Sequence, residues 1–277
     1  MIVYQVINQA SPAIGKYGLS FLYHTEWNPS ANVFGAWPLI YGSLVTSLLS
    51  LVMATALGVA IGLFLSLMAP RQVAAIVGPL VEMLAAIPSV VLGLVGIYLI
   101  APFVLHDLEG WLHGVFGFIP LFGATGTVGN SIFTASLVLV IMVVPIIAAL
   151  TRDLFLTVPQ ELRDGAEALG ATRWEMIRGV VLPTTQSGIV AACVLGFGRA
   201  IGEAIAVTQV IGGITKVSTN LFNPGATLAS TIANQALTPV SALHTQSLFY
   251  CGLILLVVGL TTNLLARYIS RHFGRMR

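Results

Sequence analysis

Residues 157–213 read TVPQELRDGAEALGATRWEMIRGVVLPTTQSGIVAACVLGFGRAIGEAIAVTQVIGG. The first half is the longest polar, charged segment of the chain. The second half is a long apolar run that carries Arg199 and Glu203 near its middle. Around this stretch, 57 % of the 277 residues are hydrophobic and only 8 % are charged. An ordinary globular domain carries about 25 % charged residues. With a mean hydropathy of +0.94, there is too little polar surface to solvate a ball of this size, so lipid is the solvent. The chain is read as an all-α polytopic membrane protein. Its net charge of +2 says little about partners. Cys193 and Cys251 both fall inside apolar runs and are read as small buried hydrophobes, not a disulfide.

Working outward, the apolar runs predict five full spans at 41–68, 77–103, 131–150, 184–211 and 243–266, since a crossing helix needs about 20 residues. The first is closed by Pro70 and Arg71, and its Gly58 and Gly62 form a small-xxx-small pair suited to close helix contact. The second holds Glu82 near its start and Pro88 inside, a kink. Glu82 reads as an interfacial carboxylate or as part of a charged path. Pro145 predicts a kink in the third span. Residues 1–10 are apolar but too short to cross, with neither a basic leader nor an A-x-A site of a signal peptide. They read as the end of a truncated first helix or as a short interfacial anchor. Residues 11–40, with Pro12, Gly15, Pro29, Gly35 and Pro38, read as an external loop. The glycine-rich 106–130 segment and the polar 212–242 segment are also expected to be loops, with WLHGVFGFIPLF at the interface and Trp111 as its anchor. The expected organisation is therefore 1–40, partial helix and loop, followed by a transmembrane domain over 41–277.

Basic residues orient this threading. Nine arginines (71, 152, 163, 173, 178, 267, 271, 275 and 277) fall on one side and only Lys16 and Lys216 on the other. That bias places the 152–183 insert and the C-terminus in the cytoplasm. Local physics makes the insert two short helices meeting at a corner. Thr157 with Gln160 and Thr172 with Glu175 both fit capping boxes. Gly170 lies between them, where a helix ending in a left-handed residue favours glycine. Pro183 is expected to break the chain before the next helix. Small residues Gly165, Ala166, Ala168 and Ala171, flanked by Leu162, Leu169 and Trp174, make a slender corner fit to seat in a groove. A connector resting on the membrane is the competing reading.

In the apolar half, Arg199 is expected about 15 residues into a helix of about 28, near the bilayer midplane at 1.5 Å per residue. Burying it there costs at least about 2.5–3.5 kcal/mol. Glu203 follows four residues later on the same expected face, in the less favourable order for a helix pair. Gly196, Gly198 and Gly202 remove bulk beside both. An interior ion pair that fixes packing accounts for this, and so does a pathway site. A guanidinium offers planar, bidentate donors to an oxyanion.

Asp164-Gly165-Ala166, three residues, Gly170, nine residues and Val180-x-Leu182-Pro183 resembles the EAA motif of bacterial ABC importer permeases, E-A-A-x₃-G-x₉-I-x-L-P. The departures are Asp164 for Glu, Gly165 for Ala and Val180 for Ile. The runs GFGRAIGEAIAVTQVIGG, FGAWPLIYGSLVTSLLSL, VEMLAAIPSVVLGLVG and NLFNPGATLASTIANQ look like phosphate-import permeases of the Pst system, PstC type. This resemblance implies a type I ABC importer permease fold with a cytoplasmic coupling helix. Partners implied are a homologous PstA-type permease, a PstB-type ATPase dimer that binds the ATP, and an extracytoplasmic PstS-type phosphate-binding protein. It assigns Asp164, Gly165, Ala166, Glu167, Gly170, Leu182 and Pro183 to ATPase coupling, and Arg199 and Glu203 to translocation. Glu82 joins them as a candidate path residue.

No G-x₄-G-K-[ST] loop is present to cradle ATP phosphates, and no H-E-x-x-H or G-x-S-x-G signature appears. The expectation is a transporter subunit without cofactor or enzymatic chemistry of its own. The rivals are a permease for another oxyanion such as sulfate or molybdate, and a stand-alone ion-coupled secondary transporter.

Overall fold

The computed structural model describes residues 1–126 and 129–274. Arg275 and Arg277, counted among the cytoplasmic basic residues, lie outside them. In chain order come α1 (Ile2–Tyr17), a hairpin of β1 (Trp27–Asn28) and β2 (Val33–Phe34), then α2 (Trp37–Met68) and α3 (Arg71–Leu84). There follow α4 (Ser89–Phe116), α5 (Ile132–Leu156), α6 (Gln160–Ala168), α7 (Arg173–Ile201), α8 (Ile205–Val210), α9 (Leu228–Gln235) and α10 (Ala242–Gly274). Five of these are long and apolar enough to cross a bilayer: α2, α4, α5, α7 and the Ala242–Leu265 part of α10. At 16 residues, α1 falls short of a span.

The count of spans agrees with the sequence; several boundaries do not. The expected 77–103 helix is two helices. Pro88 is extended (φ −59°, ψ 135°) and begins α4, while Ala85–Ile87 form turns closed by bonds such as Ala86 N–H to Met83 O at 3.0 Å. A proline disfavours helix at the residue before it, so the chain restarts instead of kinking. The apolar run then continues as helix through 104–116, where glycines suggested a loop. Residues 2–17 are helical through Pro12, and the 212–242 loop contains α9, capped by Thr227 and Ser230.

The chain forms two compact units. The first comprises residues 1–50, 88–139 and 200–260. Its core gathers Phe21, Trp27, Phe34, Leu39, Leu228 and Tyr250, with the rings of Phe21 and Tyr250 stacked at 4.4 Å. Polar anchors fix the connections. The Gln235 side-chain oxygen faces Trp27 Nε1 at 3.0 Å and His244 Nε2 at 2.9 Å, and Leu228 N–H donates to the buried Ser43 hydroxyl at 2.9 Å.

The second unit comprises 51–87, 140–199 and the segment from 261. Here the expected contact of Gly58 and Gly62 is observed. A Cβ on Gly58 would lie 2.8 Å from Ile147 Cβ, and one on Gly62 would collide with the Thr151 hydroxyl. Lipid tails are as apolar as a leucine, so close backbone approach and van der Waals packing hold α2 to α5. Phe155, Val158, Met176, Ile177 and Val181 form a further cluster, with Val59, Leu63, Leu67 and Ala166 packed against it.

Candidate functional site

The polar insert folds as the expected corner, with one capping box of the two. α6 is capped by extended Pro159 without a side-chain bond, and the Thr157 hydroxyl turns back to Leu154 O at 2.7 Å. Pro159, at the N-cap, has neither a side-chain oxygen to accept from the first turn nor an N–H to donate, so neither half of a box can form there. At the second helix the box is complete. Glu175 N–H donates to the Thr172 hydroxyl oxygen at 3.3 Å, and Thr172 N–H to Glu175 Oε2 at 2.8 Å.

Gly170 stands at φ +86°. Its N–H bonds Glu167 O at 2.9 Å, and Ala171 N–H bonds Ala166 O at 3.1 Å. These are the paired 5→2 and 6→1 bonds of a Schellman stop. They turn the chain while satisfying the carbonyls that the end of α6 would otherwise leave open.

The corner has a braced back and an open front. Ala166 packs on the cluster around Phe155 and Met176. Leu169 is 91 % exposed, Trp174 61 % and Leu162 51 %. Asp164, Gly165 and Glu167 also face outward. Beside them a cleft of about 260 Å³ is lined by Ser66, Gln160, Arg163, Asp164, Glu167 and Arg173 among others. Three large apolar side chains at a polar helix corner are the pattern of a docking surface.

Pro183 does not break the chain. α7 runs from Arg173 to Ile201, with a wider i→i+5 turn over Ile177–Val181 just before Leu182 and Pro183. Such a bulge absorbs the donor that proline lacks. The helix is therefore continuous from corner to charged end. At 1.5 Å per residue, Arg173 and Arg199 are joined by a rod of about 40 Å.

Arg199 lies in the last turn of α7, two residues before its end, and its side chain is exposed in this chain. The expectation of a mid-helix arginine is corrected. A cation in the last turn sits beside unpaired carbonyls, which favours it. Glu203 is not on the same helix either. Residues 202–204 are non-helical, and Glu203 is buried at 6 % exposure. Its Oε1 accepts from Ala206 N–H at 3.3 Å, at the start of α8. A side chain that takes a nearby backbone donor competes with the helix ladder, so the carboxylate itself helps make the break. The glycines divide as well. A Cβ at Gly196 would meet Val143 at 2.9 Å, which is packing, whereas at Gly198 the nearest atom is Thr262 Cγ2 at 4.0 Å. Glu82, on α3, pairs with Arg152 at 2.8 Å.

Two features escaped the sequence reading. Glu109, expected in a loop, is fully buried on α4, and its Oε2 accepts from Gly126 N–H at 2.8 Å. Ser43, Thr46, Ser47 and Ser50 form a buried hydroxyl stripe on α2. Their i, i+3, i+4, i+7 spacing was visible in the sequence.

Five apolar helices long enough to cross a bilayer, joined by an exposed polar corner, have the organisation of a membrane-transport protein. Residues 58–275 match the family described as binding-protein-dependent transport system inner membrane component, and the chain belongs to that family. It is a permease subunit, not an enzyme. The phosphate transport system permease protein PstC of Mesorhizobium japonicum is 40 % identical, covering 93 % of this chain and 80 % of that protein. The one from Pasteurella multocida is 41 % identical, covering 89 % and 78 %. PstC 1 of Mycobacterium tuberculosis is 38 % identical, covering 96 % and 86 %. Among solved structures, a chain of the bacterial alginate ABC transporter superposes with a TM-score of 0.61 at 17 % identity, covering 98 % of this chain and 89 % of its own. A chain of the inward-facing MetNI methionine ABC transporter gives 0.59 at 16 %, covering 85 % and 94 %. At such identities the likeness is one of fold, the type I ABC importer permease expected from the sequence.

Proposed function

We propose that this chain is the PstC-type permease of an ATP-driven importer of inorganic phosphate. It forms the translocation path with a homologous PstA-type permease. A PstB-type ATPase dimer binds and hydrolyses ATP on the cytoplasmic side, and a PstS-type protein delivers phosphate outside. The basic-residue bias puts the corner and the C-terminus in the cytoplasm of a cell whose inner membrane the chain crosses.

The observation that carries this reading is the braced corner at one end of a helix whose other end presents Arg199, in a chain whose 38–41 % identical relatives are named phosphate permeases. Asp164, Gly165, Ala166, Glu167 and Gly170 form the docking corner for the ATPase. Leu182 and Pro183 lie where the corner joins the rod. ATP-driven closure of the ATPase dimer displaces the corner, and α7 carries the displacement to Arg199 as a rigid tilt. Arg199 offers its guanidinium to the passing phosphate oxygens. Glu203 keeps the emptied path from trapping the anion, and Glu82 acts indirectly, as argued below.

The test is ATP-dependent uptake of labelled phosphate by vesicles carrying the assembled complex, with sulfate and molybdate as competitors. Loss of uptake in Arg199→Ala is expected. Full uptake in that variant, or phosphate transport by the purified chain without ATP, overturns the reading.

A further inference from the structure

The ion pair of Glu82 and Arg152 lies in the second unit, apart from the charged end of α7 in sequence and from the corner's exposed face. Three observations bear on it. The Arg152 Nη1 lies 2.8 Å from Glu82 Oε1. A Cβ placed on the buried Gly78 would lie 2.9 Å from Arg152 Nη1, 3.1 Å from Cζ and 3.3 Å from Nη2. The guanidinium therefore lies flat on the backbone of α3 at the one residue without a side chain, and Glu82, one helical turn on, fixes its rotation. Finally, a Cβ on Gly62 of α2 would lie 3.0 Å from Arg152 N. Arg152 thus joins three helices, through its backbone to α2 and its side chain to α3, four residues before the end of α5.

The sequence of α3 shows why this helix needs such a contact. Its large apolar residues Val73, Ile76, Leu80, Met83 and Leu84 are all exposed in the chain. The side turned inward offers only small or medium residues, Ala74, Val77, Gly78 and Val81, with no large side chain to fix the helix's rotation. Pro79 inside the helix also removes one backbone bond. A planar, bidentate-capable cation seated on glycine and pinned by a carboxylate supplies the direction that small side chains do not.

We infer that Glu82 and Arg152 are positioning residues, a clamp that holds α3 on the helix pair α2–α5 directly before the corner, so that movement of the corner is delivered to one body. This rests on the importer reading for its consequence in transport, but not for the clamp itself. Glu82 then influences translocation without touching the anion.

The experiment uses the assembled transporter in lipid nanodiscs, with Glu82→Gln, Arg152→Gln and the exchanged pair Glu82→Arg with Arg152→Glu. Amide hydrogen exchange is read by mass spectrometry over 71–84, and uptake is measured in parallel. Each single variant is expected to speed exchange in 71–84 by about threefold to fivefold, the range of a partly exposed ion pair. Maximal uptake falls with KM for phosphate unchanged, and the exchanged pair, which restores the ion pair but not the guanidinium's seat on Gly78, recovers both in part. Unchanged exchange in Glu82→Gln overturns the clamp, as does an exchanged pair no better than the worse single variant. A raised KM at full maximal rate would place Glu82 in the anion path instead. If the unmodified transporter takes up no phosphate, the importer reading fails while the exchange measurement still decides the clamp.

Discussion

Two glycines of the corner allow a controlled perturbation. Gly165 and Gly170 are five residues apart, and a Cβ added at either meets nothing within 4 Å. Alanine at each position therefore adds the same methyl group to the same exposed surface without a clash. They differ in backbone alone. Gly165 sits inside α6, where alanine is better than glycine by about 0.8–1.0 kcal/mol. Gly170 holds φ +86° in the Schellman stop, where a Cβ costs about 1–2 kcal/mol.

The expected effects have opposite sign and sum to a gap of about 2–3 kcal/mol between the two variants. Opening of 160–176 should become severalfold rarer in Gly165→Ala and about fivefold to thirtyfold more frequent in Gly170→Ala. Amide exchange of the assembled complex over those residues reads the effect directly. If the corner transmits ATPase motion, uptake per ATP hydrolysed falls in Gly170→Ala and is kept or raised in Gly165→Ala. Equal protection in both variants would refute the reasoning, because it would mean that the left-handed turn is not what holds the corner.

Other outcomes follow from single contacts. Thr172→Ala removes one side of the capping box and should cost about 1 kcal/mol of local stability, seen as faster exchange over 173–176 with α6 unaffected. Gly62→Val has no room beside Thr151 and should lower the thermal unfolding midpoint of the purified complex by separating α2 from α5, whereas Gly213→Ala, with open space around it, should alter only its local turn. Arg199→Lys should keep charge but lose the planar fork, so uptake is expected between the unmodified protein and Arg199→Ala. Glu203→Gln keeps an oxygen to accept from Ala206 N–H and should preserve the break at 202–204, while Glu203→Ala lets exchange over 205–210 rise.

The spans were legible because lipid enforces long uncharged runs, and the corner because Gly170, Thr172 and Glu175 carry local rules that need no tertiary context. Prolines were misread in both directions. Pro88, expected to kink a helix, starts one, and Pro183, expected to stop one, lies inside one behind a wider turn. Whether a freed carbonyl finds another partner depends on neighbouring elements, which local sequence does not contain. The same limit applies to Glu109. Its burial is set by residues distant in sequence that lie against α4, Gly126 with its N–H on the carboxylate and Gly129 against Ala101 O. Arg199 and Glu203 were found by their cost in an apolar run, but the helix end between them was not: Gly202 behind a basic last turn is a stop signal, yet Gly196 and Gly198 inside the same helix carry the same residue without stopping it.

That helix end separates the two charges locally. On one unbroken helix, Arg199 and Glu203 would share a backbone ladder, and a change in one would be felt along the other. With α7 ending at Ile201, Arg199 belongs to the last turn of the rod that starts at the corner, where the open carbonyls of the helix end favour a cation. Glu203 is instead tied to the next helix, its carboxylate accepting from Ala206 N–H at the start of α8. The two charges are therefore held by different local structures, and the sequence spacing that put them on one helix face does not describe them.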